Sequence, residues 1–178
     1  MKCLIFAAGL GTRLKPLTDM MPKALVPVGG MPLIEHVTRK LKASGVGEAV
    51  VNVHHFADMV QQWVEKQDIM GMEVSDERKL LLETGGGVLH ARPYLEGCGK
   101  FLIHNVDILS DLDIRWFESC VKEEALATLL VSERKTSRYL LFDPATMLLK
   151  GWTNINTGEV RSPYPDLDPE RCLKLAFS

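Results

Sequence analysis

An apolar run near the start of the chain, Cys3-Leu4-Ile5-Phe6-Ala7-Ala8, breaks at Gly9, and Gly11 follows two residues later. The run has the length of a buried strand. A glycine-rich turn leaving a buried strand lets backbone N–H groups approach a phosphate without side-chain clash. Thr12, Arg13, Lys15 and Lys23 come next, and between Gly9 and Met31 three basic side chains face the single acid Asp19. Fixed cations so close to such a turn suit a polyphosphate. The spacing excludes the commoner phosphate loops. No Gly-Lys-Ser/Thr end follows, as a Walker A loop requires. Leu14 stands where a dinucleotide fingerprint needs its third glycine, which speaks against a dinucleotide-dependent oxidoreductase.

The rest of the composition narrows the ligand. A net charge of −2 gives no general pull toward nucleic acid or anionic lipid, so the basic character is local to the loop and suits a small anionic ligand. The length, 178 residues, suits a single domain over 1–178. Cys3, Cys98, Cys120 and Cys172 form no Cys-x-x-Cys pair and read as reduced thiols of a cytoplasmic protein. Lys2, the apolar run and Ala7-Ala8-Gly9 mimic a short signal peptide, but a first buried strand accounts for them better. No run is long enough to span a bilayer, so no membrane partner is expected. The oligomeric state is left open.

Alternation of strand and helix signals carries the fold class. Pro32 suits a helix start, Leu33, Ile34, Val37 and Leu41 form a helical stripe, and Ser44-Gly45 ends it. Ala49–Val53 reads as a second strand; His54 and His55 after it point to opposite faces and make a poor metal site. Asp58 is placed to cap a helix bearing Met59, Val60, Trp63 and Val64, and Met72–Val74 is a short strand. Such alternation predicts a three-layer α/β/α fold with a mixed, mostly parallel, Rossmann-like sheet. Further strands are predicted at Ala125–Val131 and Cys172–Phe177, and a hairpin at Tyr139–Phe142 and Met147–Leu149 around Asp143–Thr146.

Two later stretches carry candidate chemistry. In Leu80–Val88, three consecutive glycines, Gly85, Gly86 and Gly87, are either a mobile turn or a loop whose backbone lies against a flat ligand. Gly86 is expected at positive φ, and a short helix is expected from Val88 to Tyr94, ended near Pro93. The segment Phe101–Leu109 reads as a buried strand ending in the polar pair Asn105 and Asp107. A carboxylate in an apolar segment is costly unless it is paired or holds a metal, and ligand crevices of open α/β sheets lie at the carboxyl ends of strands. Capping of the following helix is the alternative role, although Asp111 and Asp113 are better placed to cap Ile114–Val121.

The combined string Ala7-Ala8-Gly9-x-Gly11-Thr12-Arg13-Leu14, Pro16-Leu17-Thr18, Pro22-Lys23 and Leu25-Val26-Pro27-Val28 resembles the signature loop of the sugar-1-phosphate nucleotidyltransferases. The resemblance runs from Met1 to the C-terminus. It implies that Ala8, Gly9, Gly11, Thr12, Arg13 and Lys23 bind the triphosphate of a nucleoside triphosphate. Thr84, Gly85 and Gly86 would contact base and ribose, Asp107 would bind Mg²⁺, and Asn105 would reach the sugar phosphate. Arg13, Lys23 and Asp107 are then the catalytic candidates, with both cations expected to face solvent in the empty protein. Asp107→Asn should leave the stability of the metal-free protein unchanged or slightly raised, because an uncompensated carboxylate is lost.

Within the family, the short loop, Leu82-Glu83-Thr84-Gly85-Gly86-Gly87 and the final Leu175-Ala176-Phe177-Ser178 most resemble the N-acetylmuramate-1-phosphate uridylyltransferases of cell-wall recycling. Mannose-1-phosphate guanylyltransferases are the close alternative, so the triphosphate is UTP or GTP. Family members continue past the last strand and supply a second metal-binding aspartate there. The resemblance therefore implies a C-terminally truncated chain, for which a non-catalytic nucleotide-binding module is the competing role. Lys150 is the candidate for the family's second phosphate-binding lysine.

Overall fold

The computed structural model describes residues 1–177; Ser178, which ends the Leu-Ala-Phe-Ser string, lies outside the described residues. Within the span read above as a single domain, the chain forms two compact units, Met1–Ser119 and a second beginning at Cys120.

The first unit holds β1 (Lys2–Phe6), a short antiparallel ribbon of β2 (Pro27–Val28) and β3 (Met31–Pro32), α1 (Leu33–Ala43), β4 (Glu48–Val53), α2 (Ala57–Lys66), β5 (Gly71–Asp76), α3 (Glu83–His90), α4 (Arg92–Leu95), β6 (Phe101–Asn105) and α5 (Ile114–Ser119). Its main sheet runs β5-β4-β1-β6, every neighbouring pair parallel. Successive residues of β1 alternate between faces. Cys3 and Ile5 pack with Ile34 and Leu41 of α1 and Val60 of α2, whereas Leu4 packs with Ala91 and Leu95 on the other face. Covering both faces yields the expected three layers, and it explains why β1 and β4 read as continuous apolar runs.

Several local expectations change. Helix α2 starts after Phe56, which sits at φ 52; Asp58 falls in the first turn rather than at the cap and pairs with Arg78 at 2.9 Å. The three glycines are not in a loop: they lie inside α3, and Pro93 opens α4 instead of closing a helix. A proline at the first turn loses no intrahelical bond, which is why it starts an element here. Gly86 has no positive φ, and a Cβ on it would lie 2.9 Å from Leu82 Cβ. β6 is a half-buried edge strand with Ile103 44% exposed, not a buried one. Asp113 does cap α5, its Oδ1 accepting from the N–H of Arg115 (2.9 Å) and Trp116 (3.1 Å).

The second unit is an antiparallel sheet of β7 (Val131–Ser132), β8 (Arg138–Phe142), β9 (Leu149–Asn154), β10 (Glu159–Arg161) and β11 (Leu173–Phe177), in the order β10-β9-β8-β11-β7. The expected hairpin is β8–β9. Its turn is held by Asp143 Oδ1, which accepts from Thr146 N and Oγ1 (both 2.8 Å) and Ala145 N (3.1 Å); these bonds hold the carboxyl below its usual range. The strand expected at Ala125–Val131 shrinks to Val131–Ser132, because the residues before Val131 have no ladder partner among the described residues and Leu126 is fully exposed. Lys150 lies over the Tyr164 ring at 4.7 Å.

Candidate functional site

The chain leaves β1 after Phe6 with Ala7 and Ala8 buried, and their N–H groups donate to Asn52 Oδ1 of β4 at 2.7 and 3.3 Å. Gly9 is exposed, with open space where a side chain would project. Gly11 is constrained in the opposite way. It sits at φ 65, and a Cβ there would come within 2.8 Å of Thr18 Cγ2 and 3.3 Å of Lys23 Cβ. Its carbonyl accepts from Leu14 N and Thr18 Oγ1, both at 2.8 Å. Glycine is needed here for conformation and for space together. Three 3₁₀ turns follow, Thr12–Leu14, Leu17–Asp19 and Lys23–Leu25.

Lys23 opens the third turn. Asp107 stands two residues past the end of β6, whose Asn105 is in register with Phe6 of β1. Both segments thus leave the carboxyl edge of the parallel sheet, where ligand crevices of such sheets form. Lys23 Nζ donates to Asp107 Oδ2 in a tight ion pair between residues 84 apart in the chain. The two side chains are 18% and 34% exposed. Lys23 is therefore not the solvent-facing cation expected, because its ammonium is paired with Asp107 and largely covered. Arg13 is exposed and has no ion-pair partner among the described residues, whereas Lys15 pairs with Asp19 at 3.2 Å.

The sheet brings Ala8, Gly9, Gly11, Thr12, Arg13, Lys23, Asn105 and Asp107 to one edge. Thr84, Gly85 and Gly86 occupy the start of α3, and Gly87 just beyond them lies against Asn52 and Phe6. His104 Nδ1 donates to the Asn105 carbonyl at 2.7 Å; burial holds its pKa below the ordinary histidine value, with that hydrogen bond pulling the other way. His54 Nδ1 donates to the Glu77 carbonyl at 2.8 Å, and the His55 ring packs on Phe56. A hollow of about 230 Å³ beside Met1, Lys2, Gly47, Glu48 and Cys98 includes none of the candidate residues.

Among the described residues no group of three or more His, Cys, Asp and Glu is arranged to hold a metal ion. Asp107 alone still fits magnesium, which takes one or two carboxylates and completes its shell with substrate phosphates and water. The ammonium of Lys23 already shows that this carboxylate attracts a cation. Sequence reasoning missed Asn52 and Glu77, which are paired beneath the loop. The signal was present: Asn52 is the one polar residue in Ala49–Val53.

No helix among the described residues is long and apolar enough to cross a membrane. The chain is 47% identical over 108 residues to an N-acetylmuramate alpha-1-phosphate uridylyltransferase of Caulobacter vibrioides, a match covering 58% of this chain and 44% of that protein. It is 34% identical over 125 residues to a mannose-1-phosphate guanylyltransferase catalytic subunit beta of Xenopus tropicalis, covering 68% of this chain and 34% of that protein. The chain thus spans less than half the length of either relative. The structure of an inositol-1-phosphate CTP transferase from T. maritima shares the fold, with a TM-score of 0.72 at 20% identity over 90% of this chain and 67% of that one. The family model for the MobA-like NTP transferase domain matches residues 3–154, so the glycine turn, the glycine helix and the Lys23–Asp107 pair all lie within its span, and the chain belongs to that family.

Proposed function

We propose that this chain is the nucleotidyl-transferring part of a cytoplasmic enzyme that joins a nucleoside triphosphate to a sugar 1-phosphate, yielding a nucleotide sugar and pyrophosphate. The observation that carries the reading is the meeting of Lys23 and Asp107 beside the Gly9–Arg13 turn. A phosphate oxygen of the sugar 1-phosphate attacks the α-phosphorus; a new P–O bond forms and the bond to the leaving pyrophosphate breaks. No covalent enzyme intermediate is needed, because the nucleophile is already an anion. The protein's task is to align two polyanions and offset their repulsion.

In this reading the Gly11 and Thr12 backbone holds the triphosphate, and Ala8 and Gly9 leave it room. Arg13, which has no ion-pair partner among the described residues, binds the β- and γ-phosphates and stabilises the leaving group. Lys23 leaves Asp107 to bind the α-phosphate. Asp107 is the residue that would hold Mg²⁺, and the ion would supply Lewis acidity and a template for the phosphates. Thr84, Gly85 and Gly86 meet base and ribose, and Asn105 reaches the sugar phosphate.

Kinship with the uridylyltransferase supports UTP and N-acetylmuramate 1-phosphate as substrates, and the proposed role that goes with them is cell-wall recycling. Kinship with the guanylyltransferase supports GTP and mannose 1-phosphate as the second reading. A matrix of triphosphates against sugar 1-phosphates, read by pyrophosphate release, tests both. Release with UTP and N-acetylmuramate 1-phosphate is the expected result. Triphosphate binding without release in any combination would favour a non-catalytic nucleotide-binding module, and no triphosphate binding at all would overturn the reading.

A further inference from the structure

Asn52 is 2% exposed near the carboxyl end of an apolar strand, and its side chain does what a neighbouring backbone would do elsewhere. β1 pairs with β4 as far as Phe6–Asn52; the next two N–H groups, of Ala7 and Ala8, go to Asn52 Oδ1. The amide can hold that pose only if its NH₂ has an acceptor on the other side. Nδ2 donates to Glu77 Oε1 at 2.9 Å. Glu77, also 2% exposed, is pinned through its backbone: its N–H donates to the Val53 carbonyl (2.8 Å), and its carbonyl accepts from His54 Nδ1 (2.8 Å) and Leu80 N (3.0 Å).

Helix α3 presses on the same pair. A Cβ on Gly87 would lie 2.9 Å from Glu77 Oε1, 3.0 Å from Asn52 Nδ2 and 3.5 Å from Phe6 Cε1. The other carboxyl oxygen, Oε2, is buried and has no hydrogen-bond partner among the described residues. Burying an acid with one oxygen idle costs free energy, and an apolar side chain of similar size would avoid that cost. What the acid does achieve is to join the turn after β5 to Asn52 of β4, and through Asn52 to the end of β1, with the middle of the glycine helix packed on the pair at Gly87.

We propose that Glu77 is a positioning residue for nucleotide binding: by orienting the Asn52 amide it fixes the N–H groups of Ala7 and Ala8, and with them the departure of the Gly9–Thr12 turn, while Gly87 lets the glycine helix seat on the same pair. Glu77 acts through Asn52 and not by contact with the phosphates. The inference rests on the nucleotide-binding reading above.

The test is a polarity swap, read by calorimetric Kd for UTP and GTP and by amide hydrogen exchange at Ala7 and Ala8. Glu77→Gln keeps an oxygen for Asn52 Nδ2, so affinity should stay within about twofold of wild type. Glu77→Leu removes the acceptor and should weaken binding about tenfold or more while speeding exchange at both amides. Asn52→Asp sets two carboxyl groups face to face and should weaken binding by a similar factor. The double variant Asn52→Asp/Glu77→Gln lets the glutamine amide donate to the new aspartate, whose second oxygen still serves Ala7 and Ala8, and should recover most of the affinity.

Normal affinity in Glu77→Leu, or no recovery in the double variant, would overturn the proposal. Should Glu77→Leu not fold, the Asn52→Asp and double variants decide it alone. Absence of triphosphate binding in the wild-type chain would sink the functional reading instead. The relay would then stand or fall on exchange at Ala7 and Ala8, with unchanged protection in Asn52→Asp refuting it.

Discussion

Replacing Asp107 by Asn keeps the shape of the side chain and removes the charge that Lys23 faces. From sequence alone, this change should leave the metal-free protein as stable as before or slightly more so. The ion pair reverses that expectation. Fully exposed pairs contribute about 0–1 kcal/mol, and removing one partner of a fully buried pair costs about 3–5 kcal/mol. With side chains 18% and 34% exposed, this pair lies between those limits, and solvent screening moves it toward the lower one. A loss of about 1–2 kcal/mol follows for Asp107→Asn, or a fall of roughly 2–8 °C in melting temperature for a chain of this length. A double-mutant cycle with Lys23→Met should return a coupling energy of about 1 kcal/mol, reduced at about 1 M salt. The assay is differential scanning calorimetry of the metal-free protein, repeated with Mg²⁺ and a triphosphate. Asp107→Asn should also lose any added stabilisation that Mg²⁺ gives the triphosphate complex. An unchanged or higher melting temperature in metal-free Asp107→Asn, or zero coupling at low salt, would refute the argument.

Arg13→Ala removes an exposed cation with no ion-pair partner among the described residues, so melting should move by no more than about 0.5 kcal/mol. Pyrophosphate release should fall by about 10²–10³; wild-type turnover would remove Arg13 from the site. Gly85 and Gly87 should respond in opposite directions to alanine. Gly85 has open space around a new Cβ, and Gly85→Ala should gain up to about 1 kcal/mol of helix stability, whereas Gly87→Ala meets Glu77 and Asn52 and should lose about 1–3 kcal/mol; equal thermal shifts would refute this packing. Burial lowers the native pKa of His104. Its contribution to stability is thus present in full above the ordinary histidine value of about 6.5 and is lost as pH falls through the lowered native value. Melting curves from pH 8 to pH 5 should fall less steeply for His104→Gln than for wild type, and parallel curves would refute the assignment.

How much of this was legible beforehand depends on how local the cause is. The apolar runs of β1 and β4, the stripe of α1, the Asp143 turn and the Asp113 cap are each set by residues within a few positions of one another, and they stand where the sequence places them. The Gly9–Gly11 turn and the position of Asp107 just past a strand were legible for the same reason. Helix α3 was not: three glycines oppose helix formation by propensity, and packing of Gly87 against Asn52 and Glu77 overrides it. By itself, then, the sequence determined a parallel α/β unit carrying a glycine turn and an acid at its carboxyl edge. Only the tertiary structure decided that Lys23 spends its charge on Asp107, and that Asn52 and Glu77 hold the loop from beneath. Those pairings join residues 84, 45 and 25 positions apart, and it is the register of parallel strands, not any neighbouring residue, that brings them within a hydrogen bond of each other.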